Sequence, residues 1–428
     1  MEHKLAAGLE HIRSSIEIVQ NADFGLGQMA RTCISRRSPR SSRSIRLPCR
    51  VNTHITAIMS APSPYQQIIC NAEFLVKAGF SRPAAEEMFT KWQFLREKYP
   101  EFCPGLEMHA IECLDDQFGQ WGSHRSADAC GPNDDYGAAW LAMGVEPSLL
   151  PRLLAEEHRP IRLLTSASDA LRESIRATHD HMWGLSTFER EAAKRQHQAQ
   201  IQTEVDLPAA KKGHTMLYKA GTVFNLEEVW SGNETMPLSL GMLADKPPTD
   251  FDRLRYGMVP TLAQLEIAEL QCSYKASFAR HVPFGIVHIA VPDHLLTQQS
   301  NFLHIDDPAH RQKMVWQCRG PWKKPPSLWE GLSEDVAHYT NREQVGVAGS
   351  ICAQSTELLN QLSNETQVRP LKLANGEEAK QYVALPASYN DLNDECEGLV
   401  WLEERRLTED GIRLMPSSGK AMTRAMRQ

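Results

Sequence analysis

The sequence predicts an α+β protein, a helical amino-terminal domain followed by a mixed α/β domain, on three observations. Apolar residues recur at helical spacing between Ser81 and Trp183. Past Val205 the pattern changes to short β-like runs separated by Gly and Pro. The run FGIVHIAVP, Phe284 to Pro292, is continuously apolar and closed by proline, as in a strand buried on both faces. At 428 residues the chain is about three times a typical ~150-residue domain, so two folded units plus unstructured segments are expected.

Residues 1–59 read as a disordered Arg/Ser-rich tail. From Phe24 to Ala72 there is no Asp, Glu or Lys, yet seven Arg occur among many Ser. Mitochondrial transit peptides share that bias, but Glu2, Glu10, Glu17 and Asp23 are wrong for such a leader, and a solvated tail or an over-extended gene start fits better. Residues 60–204 read as the helical domain. Ser81 suits an N-cap, Pro83 a first turn, and Met88, Trp92, Leu95 and Tyr99 fall on one helix face. Helices are also expected over Tyr136–Leu154 and Ser168–Trp183, and Ser186 with Glu189 resembles a capping box that opens a further, polar helix.

Residues 205–384 form the second domain in this reading. HTMLYKAGTVF, MPLSLGML and LRYGMVP are β-like; Thr261 with Gln264 resembles a capping box for a helix carrying Leu265, Ala268, Cys272 and Ala276 on one face. After the Phe284 strand, Asp307-Pro308 opens a helix through Trp316, and Gln344 to Ile351 supplies a small-residue strand. Residues 385–428 read as a charged carboxy-terminal extension with a mobile end.

Composition narrows the function classes. Hydrophobic residues make up 42% and charged residues 23%, which excludes collagen-like and wholly disordered chains. A net charge of -7, from 46 basic and 53 acidic residues, argues against a protein that coats nucleic acid. No apolar run approaches the ~20 residues needed to cross a bilayer. Ten cysteines without a C-x-x-C pair fit reduced thiols, and so a cytoplasmic or nuclear protein, with the mitochondrion a minor alternative. There is no G-x-G-x-x-G, Walker loop, G-x-S-x-G or H-E-x-x-H. His304-Ile-Asp306 has the H-x-D spacing of facial-triad iron sites, but Asp306 and Asp307 before Pro308 read better as helix N-terminal acids. Cys103, His109, Cys113 and Cys130 match no compact zinc knuckle, so no metal is expected. The run RGPWKKPPSLW, with Trp316, Trp322 and Trp329 at or near it, reads either as a partner- or phosphate-gripping loop or as a rigid surface loop.

The strand MLYKAG, the later RYGMVPT leading into a helix, and GIVHIAVP together resemble the ADP-ribosyltransferase fold, in particular a set of fungal proteins with that fold. The VWQCR helix and VGVAGSI strand match the set in order, and the resemblance covers about a third of the chain. It implies that NAD binds in a cleft between two small sheets and that the nicotinamide–ribose bond breaks through an oxocarbenium-like state, as in glycosidases. By the same resemblance Lys219 takes the place of an Arg or His that holds the dinucleotide, and it neutralises phosphate as a point charge without a bidentate fork. Tyr256 and Thr261 match the lining of the nicotinamide pocket, although Thr261 is also a good helix cap. Glu343 is the nearest match to the carboxylate, on a strand near the end of the fold, that stabilises the ribosyl cation. The resemblance thus implies an ADP-ribosyltransferase or NAD-cleaving enzyme. With Lys in the Arg place and no E-x-E or Q-x-E pair, the alternative is an inactive relative, a binding or accessory protein with a protein target or pathway partner, as in fungal specialised metabolism.

Overall fold

The computed structural model describes residues 69–101, 103–121, 136–192, 211–230, 238–245, 250–251, 259–298, 302–320, 346–384, 389–407 and 414–416. Ser60–Gln428 forms one compact unit. The expectations for the Arg/Ser-rich tail, for the tryptophan-rich loop after Gly320 and for the last dozen residues lie outside the described residues.

The helical layer contains α1 (Ala72–Lys77), α2 (Arg82–Lys98), α3 (Leu106–Trp121), α4 (Tyr136–Ala142), the single turns α5 (Leu150–Leu153) and α6 (Arg159–Arg162), and the long α7 (Ala167–Ala192). In α2 the expected face forms: Met88 and Trp92 are buried, Leu95 and Tyr99 half-buried, and Trp92 Nε1 donates to the Pro104 carbonyl at 2.8 Å. Ser81 takes the N-cap position, although its side chain makes no cap bond.

Two helix expectations are corrected. The helix expected over Tyr136–Leu154 stops at Ala142, because Gly144 turns the chain at φ +83, and a Cβ there would stand 2.4 Å from Ala84 Cβ. Ser186 opens no new helix, because α7 runs through it without a break. No proline interrupts α7, and Gly184 leaves room for Phe224, whose ring would meet a Cβ at 2.5 Å.

The β-elements are β1 (His214–Thr222), β2 (Ala244–Asp245), β3 (Val259–Ala263), β4 (Phe284–Pro292), β5 (Phe302–Ile305), β6 (Gly346–Ser350), β7 (Lys380–Ala384), β8 (Val400–Leu407) and β9 (Leu414–Pro416). They form one mixed sheet in the order β5-β6-β7-β3-β1-β4-β8-β9, with β2 paired to β3; β5 and β6 run parallel and the other pairs antiparallel. Every residue of β4 is buried, as its apolar run predicts. The segment read as a carboxy-terminal extension supplies β8, which pairs with β4 from Phe284↔Arg405 to Ile289↔Val400.

Between the strands lie α8 (Val223–Glu227), α9 (Leu265–Phe278), α10 (Asp293–Thr297), α11 (Pro308–Arg319), α12 (Thr356–Gln361) and α13 (Tyr389–Glu395). The Asp307-Pro308 start holds: Asp307 Oδ1 accepts the His310 N–H at 2.8 Å, and α11 runs to Arg319, one turn past the expected Trp316. Thr261 does not cap α9. It lies inside β3, paired with Val383, and the N-cap position falls to Gln264, whose Oε1 instead accepts the Lys380 N–H at 2.9 Å. A β-branched residue flanked by strand partners takes the extended conformation over the cap. MPLSLGML, expected to be β-like, carries a 3-10 turn at Leu240–Leu243, its Leu240 N–H held by Asn393 Oδ1 at 2.8 Å, and the two-residue β2 only follows it.

The largest core joins the two halves expected from sequence. It contains Phe74, Trp92, Leu114, Trp140 and Leu171 from the helical layer together with Ala263, Ile267, Tyr274, Phe278 and Ile351. Trp140 meets Phe278 edge-on with centroids 5.3 Å apart, and His158 Nε2 lies 3.0 Å from Ser273 Oγ. Burying each such aromatic contributes up to about 3 kcal/mol, so these contacts tie α9 to the helical layer.

Candidate functional site

The sheet is nearly split between β1 and β3. β1 pairs with β4 along nine residues, but with β3 only at Tyr218↔Ala263. A cleft of about 820 Å³ opens there, bordered by the end of β1, by β3 and β7, and by α7 and α9 on the helical side.

Lys219 and Thr261 both line this cleft, and both are half-buried. They approach it from different sides. Tyr218 and Ala263 are a cross-strand pair and so share a face, which Thr261 also takes two residues along; Lys219 alternates to the other face. A ligand touching both therefore spans the parting of β1 and β3. Tyr256 and Glu343 lie outside the described residues.

On the helical wall, charges are largely paired. Lys275 Nζ meets Glu173 at 2.6 Å, Arg172 meets Asp169 at 2.6 Å, and Asn225 Nδ2 donates to Asp180 Oδ2 at 3.4 Å. Burial, reinforced by Asp180, pushes the Glu228 carboxyl above the usual carboxylate range. His179 is held above the ordinary imidazole value by its hydrogen bond to Asp180 and by the Glu107 and Asp180 charges, against burial.

The inner wall carries a buried circuit that sequence reasoning missed. Asp250 Oδ1 accepts Arg319 Nη1 at 2.5 Å, and Oδ2 accepts the Cys352 N–H at 2.7 Å and Gln381 Nε2 at 2.6 Å. Arg319 also donates Nη2 to the Gln354 carbonyl at 2.8 Å and Nε to Thr356 Oγ1 at 3.2 Å. Burial works to lower the Arg319 pKa, but the acidic groups around it, Asp250 foremost through charge and hydrogen bond, together hold the guanidinium above its ordinary value. The Cys352 thiol is pushed up to about 12 by burial and by Asp250, against Arg319, so it stays protonated and is no nucleophile. The only sequence signals were Arg319 closing the VWQCR helix and Gln381 as a polar residue in a strand; Asp250 sits in a Pro/Asp turn with no periodicity.

The rival sequence constellations go elsewhere. His304 Nε2 bonds the Leu296 carbonyl, and Asp307 caps α11. His109 Nε2 lies 3.4 Å from Cys113 Sγ, one turn along α3. Among the described residues no three His, Cys, Asp or Glu side chains converge as a metal site, and no helix is long and apolar enough to cross a membrane. No protein-family model, no curated protein and no solved structure matches the chain.

Proposed function

We propose that this chain is an ADP-ribosyltransferase-like protein that binds NAD in the cleft between β1 and β3. One observation carries the reading: Lys219 and Thr261, drawn from two separate motifs, border the same cleft at the place where the sheet parts. An extended dinucleotide suits such a place, since its two halves are joined by a flexible pyrophosphate that can cross from one face to the other. In this reading the Lys219 ammonium neutralises the pyrophosphate, and Thr261 with Tyr256 lines the nicotinamide end. Glu343 stabilises the ribosyl cation. The bond between the ribose anomeric carbon and the nicotinamide nitrogen breaks, its electron pair leaves with nicotinamide, and an acceptor nucleophile or water takes the ribosyl carbon and loses a proton.

A second reading, a relative that binds without transfer and serves as an accessory protein, is favoured by the inner wall. Its carboxylate, Asp250, is committed to three donors, and the cleft-lining polar residue of β7 is the amide Gln381, which cannot stabilise a cation as a carboxylate does.

Equilibrium dialysis of NAD together with a nicotinamide-release assay separates the two. The transfer reading expects saturable binding, release by the wild type, and loss of release with binding retained in Glu343→Ala. Binding without release by the wild type supports the accessory reading, and absence of binding removes both.

A further inference from the structure

The circuit around Asp250 fixes which end of the Gln381 amide faces that carboxylate, and Gln381 borders the cleft. Gln381 is 3% exposed and lines the cleft from β7, with Nε2 on Asp250 Oδ2 at 2.6 Å. A carboxylate held by a guanidinium accepts hydrogen bonds and donates none. Turning the amide round would set its carbonyl oxygen against Asp250, two acceptors face to face. Only the NH2 end can point there, so Oε1 points away, and it makes no hydrogen bond to another described residue. A glutamate at this position would put two carboxylates in contact, which share a proton or repel. The amide is thus the side chain that Asp250 requires.

Thr261 stands beside it. Gln381 pairs with Ala263 and Val383 with Thr261, so Thr261 and Gln381 are diagonal neighbours on one face of the sheet. Thr261 Oγ1 is buried and has no hydrogen-bond partner among the described residues. Two oxygens on neighbouring side chains that line one cleft therefore have no partner among the described residues: the Gln381 carbonyl, which only accepts and is held in orientation by Asp250, and the Thr261 hydroxyl, which can accept or donate.

Resting on the NAD-binding reading, we propose that Asp250, buttressed by Arg319, is a positioning residue that aims Gln381 Oε1 beside Thr261 Oγ1 to accept a neutral hydrogen-bond donor of the ligand. Two parts of NAD carry that chemistry, a ribose hydroxyl and the nicotinamide carboxamide N–H. ADP-ribose and free nicotinamide each carry one of them. An uncharged carbonyl and hydroxyl also make the subsite less sensitive to the positive charge of the nicotinamide ring than a carboxylate would be.

The latch is read without any ligand, in the full chain labelled with 15N-glutamine. The Gln381 side-chain amide, assigned by its absence from Gln381→Met, is expected to exchange with solvent at least tenfold more slowly than surface glutamine amides. Exchange at the surface rate overturns the latch. The subsite is read by calorimetry with NAD, ADP-ribose and nicotinamide. Gln381→Met keeps the volume and leaves Arg319 and the Cys352 N–H on Asp250, so the fold is retained, checked by its thermal transition. It is expected to weaken NAD and the one fragment that reaches the subsite about 5- to 10-fold while leaving the other fragment unchanged. Unchanged NAD affinity in a folded Gln381→Met overturns the subsite while leaving NAD binding standing. Binding of none of the three by the wild type overturns the subsite and the NAD reading together, and the exchange measurement still decides the latch.

Discussion

Replacing Asp250 by Ala removes the one acceptor that joins α11, β7 and the segment after β6. Its side chain is 4% exposed and that of Arg319 9%, so the guanidinium left behind meets water only through the cleft that it lines. Breaking a buried ion pair by deleting one partner costs about 3–5 kcal/mol, most of it from the uncompensated charge. The Cys352 N–H and Gln381 Nε2 lose their acceptor at the same time, and each orphaned donor costs about 1–3 kcal/mol if nothing replaces it. Water entering from the cleft will offset part of this, so the expected loss is about 3–6 kcal/mol in urea unfolding followed by far-UV circular dichroism. Removing both charges, as in Asp250→Ala with Arg319→Met, leaves no unpaired charge in this circuit and should recover about 2 kcal/mol relative to Asp250→Ala alone. A loss below about 1 kcal/mol for Asp250→Ala, or no recovery in the double variant, would refute the reasoning that these groups form one buried circuit.

Three further outcomes follow from the packing. Gly346→Ala places a Cβ 2.4 Å from the Val383 carbonyl oxygen and 2.6 Å from the Phe302 ring, which should cost about 1–3 kcal/mol in the same unfolding assay, whereas Gly105→Ala, with nothing within 4 Å, should be neutral within about 0.5 kcal/mol. Although burial opposes it, the hydrogen bond from His288 and the Arg405 guanidinium hold the Glu403 carboxyl below its ordinary 4.5. The stability it contributes is therefore complete above about pH 4.5 and lost as the pH falls through the lower folded value, so Glu403→Gln should flatten the acid limb of a stability-against-pH curve. Cys272, Cys352 and Cys396, each pushed up to about 12 mainly by burial, should remain unmodified by iodoacetamide at pH 8 in the native chain while the exposed Cys70 is alkylated, as read by peptide mass spectrometry.

Where one local pattern decided the structure, the sequence was readable. FGIVHIAVP becomes β4 because nine consecutive buried positions leave no polar face for a helix to expose. Asp307-Pro308 starts α11 because cap and proline act within one turn. At Thr261 a distant partner outweighed a local signal, whereas the helix errors at Gly144 and Ser186 came from the local chain itself. Thr261 carries a cap signature, but three ladder pairs with β7 draw it into a strand, and Gln264 is taken by the Lys380 N–H. Ser186 carries one too, inside a helix that has no reason to stop. The candidate site divides in the same way. Lys219 and Thr261 were found through motifs local to their strands, whereas Asp250, Arg319 and Gln381 meet across 69 and 131 residues of chain, and no spacing rule brings them together.

NAD binding at the parting of β1 and β3 is tested most directly by titrating the dinucleotide calorimetrically into the wild type and into Lys219→Ala under one buffer and salt concentration. A hydrogen bond from an ammonium to phosphate is worth about 1.5–3 kcal/mol, so the account predicts one saturable site in the wild type and an affinity about 10- to 100-fold weaker in the variant. No saturable heat with the wild type, or equal affinities in the two proteins, would contradict it.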